Sequence, residues 1–452
     1  MMRTDGSVNF RRRRGERGVT IILVTFGVAF LVIAVAALAI DVVTLYNARN
    51  EARQAADAAA LAGAKVLANS GLTSDTSISS SPANIKTLAQ NVAIAVATQN
   101  KLGGRAILSS EVNVTFPNQA DASFAIAPQV SVTITRTDLP TFFARAWGTR
   151  ILTVSATGTA EALNASNSSS LTSGGNPLPL APQCVKPWAI PNKDPVPGHT
   201  GLTLFNVSTG QPTSASGMVG QSIRLQLGCY LGSCYPPIPG RYYYLIYSPT
   251  TPPAGTLPGS CFLWGGCDYE ENIVACNPQP ITCGPSNNAT IYLPLACGTP
   301  RPTQTHDGLE CLIHASSDGP GRGQDCLNAD AGDCGASPTS SSTQIFAGSG
   351  NPLVQAGVIN TGDAISTSSS LVTIPVFDET AVTIPSGTSP SNINIHVIGF
   401  IQGFITSFGP DNDANGYIYV RIVNLSGCGS SASGTAVLGD GTSPVPVHLI
   451  SN

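Results

Sequence analysis

The first 183 of the 452 residues contain no cysteine, and only 11% of the chain is charged. Each scarcity excludes something. With a net charge of −4, the chain lacks the basic footprint of a nucleic-acid binder. At 42% hydrophobic residues it is too apolar to stay disordered. No C-x-x-C pair occurs, which argues against a zinc ribbon or a thioredoxin-like site. There is no G-x-S-x-G elbow, no S-x-x-K, no H-E-x-x-H and no P-loop, and the five His are scattered. The chain therefore reads as a non-enzyme.

What is present is distributed unevenly. All twelve cysteines fall between Cys184 and Cys428, an even count that points to disulfides in an oxidising compartment. Over the whole chain Gly (46) and Pro (34) are plentiful, as in an exported, turn-rich β protein. Basic residues gather at the start, in Arg11 to Arg14 and Arg17.

Val19 to Ile40 carries no charge. At ~1.5 Å per residue this run spans roughly 33 Å, the depth of a bilayer core. Arginines precede it and Asp41 closes it, so the positive-inside rule puts the N-terminus in the cytoplasm and the remainder outside. A cleaved signal peptide would have a shorter apolar run, although Ala37 to Ala39 would satisfy its small-residue rule. A prepilin-type cut after Gly15 or Gly18 lacks the acidic residue five places on, where Thr20 or Leu23 stands. An uncleaved anchor is expected.

Leu45, Ala48, Ala52, Ala55, Ala59, Ala62 and Val66 follow with spacings of three and four, an a/d seam. Ala is also the best helix former. Neither Pro nor Gly interrupts Asp41 to Ala62. The expectation is a rod of about 45–50 residues, roughly 70 Å long, with one half in lipid and the other packed on a domain.

The run from Gly18 to Ala68 resembles the N-terminal segment of the TadE/TadG-like proteins of Flp-type, tight-adherence pilus systems. The likeness rests on an apolar span ending in Ile40 and Asp41, then Tyr46 and Arg49, then Gln54 to Ala64 with Asp57 inside it. A looser likeness continues to about residue 162 through "VSVTITRTDLPTFFARAWGTRILTVSATGTAEA". Read from the residues, Val130, Val132 and Ile134 alternate with polar positions as in a half-buried strand, and Ile151 to Thr159 is another. Leu139, Phe142, Phe143 and Trp147 have helical spacing, and Pro82 to Leu102 reads as a helix opened by Ser81.

Residues 163–182 are Ser/Asn/Gly/Pro-rich and read as a linker. Beyond them "SIRLQLG", "RYYYLIYS", "NATIYLPL", "SLVTIPVFD", "NINIHVIGFIQGFITSF" and "GYIYVRIVNL" alternate with turn clusters. That pattern fits a sandwich or barrel, taken here as sandwich-like. The segments "KPWAIP", "YEENIVACN", "IPVFD" and "VIGFIQGFITSF" also look similar to C-terminal regions of some TadG-related proteins, with no activity implied. The expected class is α+β, in five parts. These are a basic cytoplasmic tail (1–18), a transmembrane helix (19–40), a pilin-like α+β unit (41–162), the linker (163–182) and a disulfide-rich all-β domain (183–452). Short spacings favour local bridges, Cys229 with Cys234 and Cys261 with Cys267.

Three runs invite a metal. Asp411, Asp413 and Asn415, with Gly416, fit the first half of a calcium loop, but the twelfth position is Ile422, and Asn-Gly is also ordinary hairpin chemistry. Asn328, Asp330 and Asp333 form a similar cluster in a Cys-bounded loop. His306, Glu310 and His314 would share a face if "HDGLECLIH" were helical, although Cys311 favours a tethered turn. Asp75 to Ser79, D-x-S-x-S, matches the metal-dependent adhesion motif of von Willebrand A domains that TadG proteins often carry. Here it follows a loop instead of an apolar strand, and it reads as chance.

The resemblance implies an accessory or minor pilin-like component with a structural and binding role. It would have no cofactor beyond possible calcium, and its partners would be the membrane and other pilus-assembly proteins, or copies of itself, docked on the Ala seam. The competing readings are a membrane-tethered periplasmic hydrolase, which needs His306, Glu310 and Asp325 or a similar pair to converge, and a released surface adhesin.

Overall fold

The computed structural model describes residues 16–74, 82–121, 124, 126–141, 148, 151–170, 175–213, 217–230, 233–247, 268–284, 289–292, 302–314, 323–327, 344–384, 392–410, 416–438 and 443–450. Helix α1, Glu16–Ala68, is unbroken, as its lack of Pro and its Ala content require. Helix α2, Pro82–Thr98, begins with Pro in the first turn, where its missing N–H costs nothing. Three strands follow: β1 (Val112–Thr115), β2 (Gln129–Pro140) and β3 (Ile151–Ala162). They form an antiparallel sheet in which Val130, Val132 and Ile134 face inward.

The upper half of α1 lies on this sheet. Ala48, Ala52, Ala55, Ala56, Ala59, Ala60 and Ala64 form one buried cluster with Ile85, Ala89, Ala93 and Ala97 of α2 and the inward strand residues. Small side chains bring backbones close. A Cβ at Gly158 of β3 would stand 2.6 Å from the backbone nitrogen of Asp57, and one at Gly63 would stand 3.0 Å from Val130 Cγ1. Only glycine permits that separation at Gly158.

The second unit holds strands β4 (Trp188–Pro191), β5 (Ser222–Leu227) and β6 (Arg241–Tyr244) and helices α3 (Asp268–Val274) and α4 (Pro302–Leu312). Strands β7 (Leu371–Phe377), β8 (Val397–Phe408) and β9 (Ile418–Gly427) complete it. The six strands close a barrel in the order β6-β4-β7-β8-β9-β5. Ile190 of β4 runs parallel with Val376 of β7, and Gln226 of β5 with Arg241 of β6; the other pairings are antiparallel.

The α+β class holds, but the outer domain is a closed barrel and not two facing sheets. Nor is it all-β. Tyr269, Ile273 and Leu309 of α3 and α4 share one apolar core with Trp188, Leu225, Tyr242, Ile374 and Ile401. The opposite strand faces are covered too, because Tyr243, Phe377 and Phe400 pack with Ile281, Ile291 and Ile395. Cover on both faces explains why β7 reads as a continuous apolar run.

Disulfides join Cys184 to Cys276, Cys229 to Cys234 and Cys283 to Cys428, and Cys311 and Cys326 each take part in a disulfide as well. Cys261 and Cys267 lie outside the described residues. A last strand, β10 (Val447–Leu449), returns to the first unit and pairs with β3, giving the sheet order β10-β3-β2-β1.

The described residues of the stretch 163–182 do not behave as a solvated tether. Ala165–Ser170 is a 3-10 helix, and Asn164, Ser166 and Ser168 are buried. These three buried polar side chains are satisfied: Asn164 Nδ2 donates to the Leu425 carbonyl at 2.8 Å, Ser166 Oγ accepts from the Gly427 N–H at 2.8 Å, and Ser168 Oγ donates to the Ala165 carbonyl at 2.7 Å. Polar composition marks solvent exposure only when such partners are absent.

Candidate functional site

Helix α1 changes environment part-way along. From Thr20 to Val43 its large side chains are exposed, with Phe26 at 72% and Phe30 at 71%. From Ala48 onward the seam side is buried. By length and composition α1 can cross a membrane.

The seam residues Ala48, Ala52, Ala55, Ala59 and Val66 are buried, while Leu45 and Ala62 are half-buried. Their neighbours are the chain's own sheet and α2. The expectation that this seam docks onto partner helices therefore needs correction, because the fold itself occupies that face. Among the family positions, Asp41 is buried beside Leu139, Pro140 and Thr141; Tyr46 and Gln54 face outward. Asp57 sits against Gly158, with Arg53 Nε 3.6 Å from its carboxylate.

Below the helix, Arg136 of β2 is almost fully buried. Its guanidinium grips Glu111 through Nε at 2.8 Å and Nη2 at 2.6 Å, and Nη2 donates to the Ala106 carbonyl at 2.8 Å. A bidentate pair of this kind is rigid as well as strong. The Arg136 hydrogen bond holds the Glu111 carboxyl below its usual range. This fixes the loop before β1 onto the sheet.

At the top of α1 a buried amide network joins the two units. Gln402 Nε2 donates to Asn69 Oδ1 at 3.0 Å, and Asn424 Nδ2 donates to the Ala68 carbonyl at 2.8 Å and to Gln402 Oε1. Ser74 Oγ donates to the Leu425 carbonyl at 3.0 Å. Partners about 350 residues apart in sequence leave no local signal, so these residues are invisible to motif reading.

The metal candidates fare differently. Asp411, Asp413, Asn415, Asn328, Asp330, Asp333 and Asp75 to Ser79 lie outside the described residues. "HDGLECLIH" is helical through Leu312, not a tethered turn. His306 and Glu310 come within 4.8 Å of each other, joined by Asp307, while His314 falls in the turn beyond with φ 52°. Asp325 instead accepts from Asn351 Nδ2 at 2.8 Å and Ser368 Oγ at 2.6 Å. Thr305 of α4 hydrogen-bonds the hydroxyls of Tyr269 at 2.8 Å and Tyr242 at 3.2 Å, which ties the helix to the barrel. Lys186 Nζ donates to the carbonyls of Ile273 and Ala275 where α3 ends, a helix C-terminal cap. Burial pushes its ammonium down to about 7.

The feature that distinguishes the chain is thus a single helix, bare below and built into a domain above. Residues 18–66 match the family model for TadE/G-like proteins of Flp pilus assembly. The match covers α1 and none of the barrel. No curated protein and no solved structure matches the chain. The TadE/G-like segment ends two residues short of the end of α1, so it takes in both the exposed and the buried length of the helix.

Proposed function

We propose that the chain is a membrane-anchored accessory or minor pilin-like component of a Flp/Tad-type pilus assembly apparatus. Its role is structural and binding. Helix α1 crosses the inner membrane with the arginine-rich start in the cytoplasm, and the sheet and barrel are periplasmic or surface-exposed. The observation that carries this reading is the coincidence of the TadE/G-like match with a helix that is bare and apolar at its start and buried at its end. Arg11 to Arg14 and Arg17 on one side of the span support the orientation. Disulfides in the barrel suit an oxidising compartment. With the seam occupied internally, contacts to other components fall to the barrel and the outer surface of the sheet.

The mature N-terminus tests this, read by mass spectrometry in inner-membrane and sheared-surface fractions. An intact start found only in the membrane supports an anchored assembly component. A start after Gly15 or Gly18 in sheared fibres supports a minor pilin. A start near Asp41 in soluble material overturns both.

A further inference from the structure

The sheet and α1 run side by side toward the end of the apolar span. Gly63 faces Val130, and Gly158, paired with Val132, faces Asp57. Farther down, Glu51 accepts the Gly103 N–H at 2.7 Å, and Gly103 in turn abuts Leu139. Lowest of all, Asp41, Thr44 and Leu45 share a groove with Leu139, Pro140, Thr141 and Leu152. The distances agree: Gly63 back to Asp41 is ~33 Å of helix at 1.5 Å per residue, and Val130 to Thr141 is ~36 Å of strand at 3.3 Å per residue. The Pro140–Ile151 end of the β2–β3 pairing therefore lies level with Asp41.

Asp41 is where the uncharged run ends, so in a spanning helix it marks the headgroup boundary. Around the buried Asp41, Leu139 and Thr141, the side chains that stay exposed at that level include apolar ones. On the helix they are Val42, Val43 and Tyr46; on the sheet they are Pro140 and its partner Ile151, itself 60% exposed. An outward Tyr one turn above the boundary has the placement of an interfacial aromatic. The apolar band is continuous with the lipid-facing length of α1, and that continuity selects a bilayer as its occupant.

We propose that the lower end of the β2–β3 pair, at Pro140 and Ile151, rests in the headgroup layer beside Val42, Val43 and Tyr46 and seats the sheet directly on the lipid surface. This rests on the reading that α1 crosses the membrane. The domain then has no free stalk: its height above the bilayer is set by how far the sheet reaches down the helix.

The test uses the full chain in phosphatidylcholine/phosphatidylglycerol vesicles, with an environment-sensitive fluorophore on a single introduced cysteine. Val28→Cys reports the span, Ile151→Cys the sheet end, and Thr115→Cys the exposed upper end of the sheet. Lipids spin-labelled in the headgroup or deep in the acyl chain serve as quenchers. The expected result is loss of emission at position 28 with the deep label, loss at 151 with the headgroup label, and none at 115. Quenching at 28 while 151 behaves like 115 overturns the inference and leaves the anchor standing. Absence of quenching at 28 overturns the anchor and the inference together.

Discussion

The two units of this chain solve the packing problem in opposite ways. The first is cysteine-free, and its helix interface is built from Ala and Gly. The second fills its core with Trp188, Tyr242, Tyr269 and Phe408 and adds disulfides. The difference follows from what each must do. A helix laid on a sheet with its backbone almost touching gains rigidity from closeness and cannot accept bulk. A barrel that pairs Ile190 with Val376, far apart in sequence, gains from large apolar areas and from bridges that shorten its unfolded loops.

Removing bulk should hurt the barrel most. Trp188 is fully buried, and its indole N–H donates to the Tyr269 hydroxyl at 3.2 Å. Trp188→Ala should cost ~3–5 kcal/mol, read as a lower chemical denaturation midpoint. A change under 1 kcal/mol would mean that the core tolerates the void. Opening the Cys283–Cys428 bridge by paired serine substitution should cost ~2–5 kcal/mol, felt first in the barrel. Protease protection of the α1–sheet unit under the same conditions should fall less, and equal loss in both units would erase the contrast.

Adding bulk should hurt the first unit. Gly158→Ala places a methyl group 2.6 Å from the Asp57 nitrogen, and overpacking of that kind costs ~1–3 kcal/mol. A neutral thermal melt would show that helix and sheet are not held at this distance. The join between the units is tested by Asn424→Ala, which leaves Ser74, the Ala68 carbonyl and Gln402 without this partner. The expected loss is ~1–3 kcal/mol, with one unfolding transition splitting into two. Persistence of a single transition would show that the network does not couple them.

The smallest effect concerns pH. His448 of β10 lies 2.9 Å from Glu161 of β3. The Glu161 hydrogen bond raises the histidine above its ordinary 6.5, and His448 lowers the glutamate below 4.5. The histidine's contribution is complete below pH 6.5 and is lost as pH rises through its raised value. The glutamate's contribution is present above pH 4.5 and is lost on acidification through its lowered value. The pair is therefore strongest between about 4.5 and 6.5. Being partly exposed, it is worth no more than ~1 kcal/mol. Hydrogen exchange at Leu449 should quicken from pH 6 to pH 9 beyond the intrinsic rate, and His448→Ala should remove that excess.

Local pattern carried much of the architecture. The alternation at Val130, Val132 and Ile134 produced β2, the expected helix at Pro82 ended at Thr98, and the Ala run produced α1. Each of the six quoted outer runs holds a strand. What escaped was non-local. Barrel closure depends on Ile190 meeting Val376 in parallel, and no periodicity encodes that. Helix α4 has mixed polarity and a central glycine, which hid it. Asn164 and Ser166 looked like linker residues because buried and solvated polar side chains have the same composition. Leu139, expected in a short helix, extends β2 instead, because it pairs with Leu152; Phe142, Phe143 and Trp147 lie outside the described residues.

The pairing of β10 with β3 has a kinetic consequence. During synthesis the N-terminal helix emerges first, yet one edge of β3 has no strand beside it until Leu449 arrives. The first unit to be made is thus among the last to be completed, and a stalled or truncated chain would present an open sheet edge to its neighbours.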